Sequence, residues 1–147
     1  MDDGGEGDDL WLVSLAERPD LRKALGEHQV QDGVWPEFMR HAPVADRLWH
    51  HLGNDFAPFQ LALLDAQERL VAGANACPLA WDGTDDDLPI GWDDQFERSV
   101  AGLLAGTPPD TLGAIQIVGS PGQRGAGLSA RCSMACAGRR RTTATAL

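Results

Sequence analysis

The chain has no tyrosine, an odd number of cysteines (three) and no acidic residue after Asp110. Three cysteines make no disulfide framework. No apolar run reaches the roughly 18 residues that a membrane-spanning helix needs. The start, Met1-Asp-Asp-Gly-Gly-Glu-Gly-Asp-Asp9, is acidic, whereas a secretory signal needs a positive start followed by an apolar stretch. These absences point to a soluble, reduced, cytoplasmic protein with no membrane partner.

What is present fits one domain or part of one. The chain has 147 residues, 43% of them hydrophobic, a globular rather than a disordered balance. The net charge of −10 is unevenly spread. Residues 1–110 hold all 22 acids and 7 of the 12 Lys and Arg, a balance of −15; from Thr111 onward there are five arginines and no acid. An acidic body repels nucleic-acid phosphate, so nucleic acid is not an expected partner. The basic end suits a small polyanion.

Residues 1–9 are rich in Gly and Asp and read as a disordered acidic tail. Leu10–Ala16 has strand length, and Arg18–His28 reads as a helix with Pro19 in its first turn. Asp32-Gly33 is a break, after which Trp35–Met39 restarts a helix with Pro36 in its first turn. Val44, Leu48, Leu52 and Phe56 make one apolar stripe at four-residue spacing, predicting a helix after Pro43. On that helix His50 and His51 point about 100° apart, so they do not form a metal clamp.

Phe59–Asp65 and Arg69–Trp81 are two strands joined by the short turn Ala66-Gln67-Glu68, an antiparallel hairpin. Gly73 inside the second strand signals a bulge or a close backbone approach. Cys77 reads as a small buried apolar residue. Asp85, Asp86 and Asp87 lack the alternating acids of a calcium loop and read as a solvated loop or a helix cap. A helix over Asp93–Leu104 turns Phe96, Val100 and Leu103 or Leu104 inward and ends at Gly106 and Pro108-Pro109.

The informative segment starts at Thr111. Thr111–Val118 is a strand, Gly119-Ser-Pro-Gly-Gln-Arg-Gly-Ala-Gly-Leu-Ser129 is a glycine-rich turn, and a helix start follows. Such a turn gathers backbone N–H groups at the positive end of a helix, which is an anion site. Two phosphate motifs fail on it. The P-loop spacing Gly122–Ser129 has Leu128 in place of the lysine. The dinucleotide pattern Gly125-Ala-Gly127-Leu-Ser-Ala130 has no downstream acid for a ribose.

Arg124-Gly125-Ala126-Gly127-Leu128-Ser129, with Pro121 three residues before Arg124, resembles the acyl-CoA loop of the GNAT (GCN5-related) N-acetyltransferase superfamily, Gln/Arg-x-x-Gly-x-Gly/Ala after a strand. The phrases Trp35-Pro-Glu-Phe-Met39 and Leu79-Ala-Trp-Asp-Gly-Thr84 are similar to phrases in bacterial GNAT-like proteins of this size class. The order of elements is similar too: strand, two helices, hairpin, inserted helix, strand, loop.

The resemblance implies an α/β fold with a mixed, mostly antiparallel sheet and flanking helices. It implies an acyl-CoA-dependent N-acyltransferase, with acetyl-CoA as co-substrate, an unknown amine as acceptor and no metal. The Thr111–Val118 strand would bind the pantetheine amides through its backbone, with Ile117, Val118 and Gly119 counted among the cofactor-binding residues. Gln123, Arg124, Gly125, Ala126, Gly127, Leu128 and Ser129 would hold the pyrophosphate.

The departures from the family pattern are specific. Ser129 stands where Gly or Ala is usual, and Gly119 where a β-branched residue is usual. There is no tyrosine to act as general acid and no glutamate on the Thr111 strand to act as general base, so no catalytic residue is assigned. Residues 130–147 have little apolar periodicity, and Cys132 and Cys136 read as incidental. The expected organisation is therefore an acidic tail at 1–9, a partial GNAT-like domain at 10–129 and a basic tail at 130–147 foreign to the fold. On this view the fold is incomplete at its C-terminus by truncation or frameshift, and an exposed sheet edge is open to self-association. The alternatives are a non-catalytic CoA- or partner-binding remnant and a small structural interaction domain.

Overall fold

A computed structural model describes residues 9–30, 34–123 and 125–144, with side chains described as far as Gly138. Among the described residues the chain is a mixed α/β structure: one four-stranded antiparallel sheet and five helices. The strands are β1 (Trp11–Ser14), β2 (Gln60–Leu64), β3 (Leu70–Leu79) and β4 (Thr111–Gly119), lying side by side in that order. The helices are α1 (Arg22–Gln29), α2 (Pro43–Leu48), α3 (His50–Asn54), α4 (Trp92–Ala105) and α5 (Leu128–Ala144). The expected break at Asp32-Gly33 and the acidic segment 1–8 lie outside the described residues.

Strand period explains which residues meet which helix. On one face Leu61 and Leu63 of β2 stand beside Ala74 and Ala72 of β3, and with Leu128 and Cys132 of α5 they form one core cluster. On the other face Ala62 and Leu64 pack on Leu15, Leu21 and Leu25. Further along that face, Cys77 and Ile115 pack on Leu52, Phe56, Phe96 and Val100. With both faces covered, β2 is buried at every position, which is why its sequence is a continuous apolar run rather than an alternation.

Gly73 marks a close approach. It faces Ala62 across the hairpin, and a Cβ built on it would overlap Leu25 Cδ1 of α1. The sheet irregularities fall elsewhere, between Leu63 and Leu64 on β2 and at Ile115 on β4. The turn between β2 and β3 is held by Asp65, whose Oδ1 accepts the N–H groups of Gln67 (3.0 Å) and Arg69 (2.9 Å). These bonds, the Arg69 N–H first, lower the Asp65 pKa.

Several expectations need correction. Trp35–Met39 does not restart an α-helix; the turn there is a 3-10 segment at Glu37–His41. Leu103 and Leu104 do not face inward, being 40% and 76% exposed, because Phe96, Ser99 and Val100 define the buried stripe of α4. The rings of His50 and His51 do not diverge; their centroids are 4.1 Å apart. His51 Nδ1 pairs with Asp55 Oδ2 at 2.6 Å. The region after Ala130 continues α5 to Ala144, and Leu128 and Cys132 share its sheet-facing side at i, i+4 spacing.

Gly73→Ala tests the α1–β3 approach by its sign. Glycine to alanine at an ordinary strand position stabilises by about 0.4–1 kcal/mol, whereas crowding a packed core costs about 1–3 kcal/mol. The substitution is expected to destabilise in urea melts, and Leu25→Ala in the same chain is expected to recover part of that loss. A stabilised Gly73→Ala, or strict additivity of the two changes, would contradict this packing.

Candidate functional site

β4 is the outer strand of the sheet, and its two halves differ. Asn75 pairs with Gln116 but Ala76 pairs with Ala114, so Ile115 is an extra residue on β4. Such a bulge turns two successive side chains to one face. Ile115 enters the core beneath α4, while Gln116 Nε2 donates to Asn75 Oδ1 at 3.0 Å. Helix α4 satisfies the carbonyls around the bulge: Trp92 Nε1 donates to Ile115 O (3.1 Å) and Gln95 Nε2 to Ala114 O (2.8 Å). A Cβ on Gly113 would lie 2.6 Å from Gln95 Cδ, so that glycine lets Gln95 lie flat on the strand.

Beyond the bulge the edge is open. Ser120 N–H donates to Val71 O at 2.8 Å. Alternation along an antiparallel ladder then turns the N–H and C=O groups of Gly119 and Ile117 away from β3. Among the described residues no strand pairs on that side. The chain next makes a 3-10 turn at Pro121–Gln123 and passes through Gly125 (φ 85°) and Gly127 (φ 73°), a backbone region that favours glycine. It then enters α5, whose first intrahelical bond found here is Arg131 N–H to Gly127 O. The N–H groups of Leu128, Ser129 and Ala130 thus have no intrahelical acceptor at the positive end of a 17-residue helix.

These parts border one cleft of about 730 Å3. Of the residues expected from the sequence, Ile117, Val118, Gly119, Gln123, Gly125, Gly127, Leu128 and Ser129 line it. Ala126 does not, since its N–H turns back to Gln123 O. Arg124 lies outside the described residues. The opposite wall is Val34, Trp35, Pro36 and Met39, with Gln116 and Ser120 at the floor. The strand and turn readings took in Gln116 and Ser120, but Val34, Trp35, Pro36 and Met39 had no part in the expected site. Trp35-Pro36 was the available signal, but nothing local shows that the segment returns to β4, 81 residues away, where Trp35 Nε1 donates to Gln116 Oε1 at 2.7 Å.

No family model, curated protein or solved structure matches the chain.

The cleft wall offers few side chains for acid–base work. Its polar side chains are the indole of Trp35, the amides of Gln116 and Gln123 and the hydroxyls of Ser120 and Ser129. Cys77 and Cys132 are buried elsewhere, and burial pushes both thiols up to about 11. Among the described residues no three His, Cys, Asp or Glu side chains cluster as a metal site, and no helix is long and apolar enough to cross a membrane.

One titratable group stands behind the cleft. His28 of α1 is 6% exposed, with Nε2 at 3.1 Å from Ser120 Oγ. Ser120 Oγ in turn donates to Leu70 O at 3.4 Å. Both contacts are satisfied when Nε2 carries the proton and donates to Ser120. His28 Nδ1 is buried with no hydrogen-bond partner among the described residues, so a second proton there would find no acceptor among them. Burial accordingly lowers the His28 pKa from its ordinary 6.5.

The sign follows from linkage. As pH falls below about 6.5 the unfolded chain takes up a proton before the folded one, so stability drops. Above 6.5 the contribution is complete. The urea midpoint is expected to decline just below pH 6.5, and His28→Gln is expected to flatten that part of the profile. An unchanged slope in the variant would contradict a buried neutral His28.

Proposed function

We propose that the chain binds acyl-CoA in this cleft and belongs to the acyl-CoA-dependent N-acyltransferases of GNAT type, with acetyl-CoA as co-substrate and an amine as acceptor. The single observation that carries the reading is the meeting, in one cleft, of two kinds of backbone that are unpaired among the described residues. The outward amides of Ile117 and Gly119 suit a chain of amide groups, as in pantetheine, laid beside a strand edge. The N–H groups at the start of α5 suit a pyrophosphate. The cleft volume falls within the range usual for small-molecule sites. Arg124 and Arg131 add positive charge to this end of the chain.

A second reading, a CoA-binding protein without turnover, is favoured by one specific observation. The cleft presents no carboxylate, thiol or phenol among its described side chains. Acyl transfer needs a deprotonated amine and a stabilised thiolate leaving group. A thiol-release assay with acetyl-CoA and a panel of amines separates the two readings.

Binding itself is tested by calorimetry and by thermal shift. CoA and desulfo-CoA are expected to bind alike and to raise Tm, because the backbone contacts involve no sulfur. At Gly125 and Gly127 an added Cβ meets open space, so Gly125→Val and Gly127→Val act through the positive φ alone. Each is expected to reshape the turn and weaken CoA binding about tenfold or more, while the core melts much as before. Folded protein that takes up no CoA at millimolar concentration would overturn the assignment.

A further inference from the structure

A second cavity, of about 430 Å3, lies on the far side of the cleft's aromatic wall. It is lined by Val30, Trp35, Met39, Ala45 and Trp49, with Arg40 and Asp46 completing its lining. Trp35 and Met39 line both spaces, so the cavity and the cleft adjoin across these two side chains. We propose that this chamber binds the apolar body of a hydrophobic primary amine, whose amino group reaches past Trp35 and Met39 toward Gln116. The amine rests on the acyl-transfer reading above; the apolar body rests on the chamber alone.

Three observations support the class of ligand. First, the walls are preformed. Trp35 and Trp49 meet edge to face at 5.5 Å and 80°, and Trp49 is backed by Trp92 and Phe96. Trp35 is also pinned by its bond to Gln116. Rigid aromatic walls lose little entropy when they close on a flat apolar group. Second, a chamber of this size and lining is suited to a phenyl- or indole-sized body. Third, the lining carries the Asp46 carboxylate, an acceptor for an ammonium group, in a chain whose net charge is −10 and which therefore attracts cations overall.

The probe is 2-phenylethylamine, titrated into the full chain while the indole N–H resonances are followed. The Trp35 and Trp49 resonances are expected to shift saturably. Ethylamine, which lacks the apolar body, is expected to leave them unmoved. Val30→Trp should fill the chamber from an exposed position without disturbing the core, weakening 2-phenylethylamine binding about tenfold while CoA binding stays intact. Ala45→Leu should do the same from the buried side and checks the result independently. Indole shifts without any CoA binding would support the chamber and count against the acyl-CoA reading. CoA binding without indole shifts, or equal 2-phenylethylamine binding by Val30→Trp, would overturn the chamber and leave the acyl-CoA reading standing.

Discussion

Asn75 sits in the middle of β3, 4% exposed, and its side chain joins elements that are far apart in sequence. Its Oδ1 accepts from Gln29 of α1 and from Gln116 of β4, and its Nδ2 donates to Gln60 Oε1 of β2 at 2.8 Å. Gln60, fully buried, uses its own Nε2 on the carbonyls of Phe56 and Ala76, at 2.8 Å each. Gln116 then fixes Trp35. An amide left unpaired in an apolar core costs about 1–3 kcal/mol, and removing Asn75 would leave the Gln29 and Gln116 amides without their acceptor and Gln60 Oε1 without its donor. The network therefore fixes one arrangement of α1, β2, β3 and β4, and places the cleft wall relative to the cleft floor.

The bulge at Ile115 extends the same logic to the outer strand. By turning both Ile115 and Gln116 toward the helices, it lets β4 serve the core with one residue and the amide network with the next. Helix α4 covers the strand before the bulge through Trp92 and Gln95. After the bulge nothing described covers the edge, and the open amides at Ile117 and Gly119 lead directly into the glycine turn. An unpaired edge beside a helix start is a liability in a structural protein. In a binding protein it is the recognition surface.

Much of this was legible in the sequence. The hairpin, the stripe Val44–Leu48–Leu52–Phe56 and the strand before the glycine turn follow from local period and residue type, while Gly73 signalled either a bulge or a close approach and only the packing of Leu25 decides between them. The strand half of the cleft was legible for the same reason, since strand, turn and helix are consecutive. The Trp35–Met39 wall was not, because it reaches β4 only through tertiary contact. Nor was the continuation of α5 beyond its start: among its described side chains Leu128 and Cys132, with Ala135 and Cys136 beside them, meet the sheet. Two small cysteines and an alanine give too weak an apolar signal for a period to show. Leu103 and Leu104 misled in the opposite way, being apolar at the end of a helix whose buried stripe is set by Phe96, Ser99 and Val100.

The central claim is that a ligand lies along β4 after the bulge and against the start of α5. Amide hydrogen exchange, read residue by residue with and without CoA, tests it most directly. Val118, turned toward β3, should be protected in both states. Ile117, Gly119 and the amides of Leu128, Ser129 and Ala130 should exchange rapidly in the free protein and slow down when CoA is added. Binding of CoA with no change at Ile117 and Gly119, or with protection confined to the opposite edge at β1, would contradict the account.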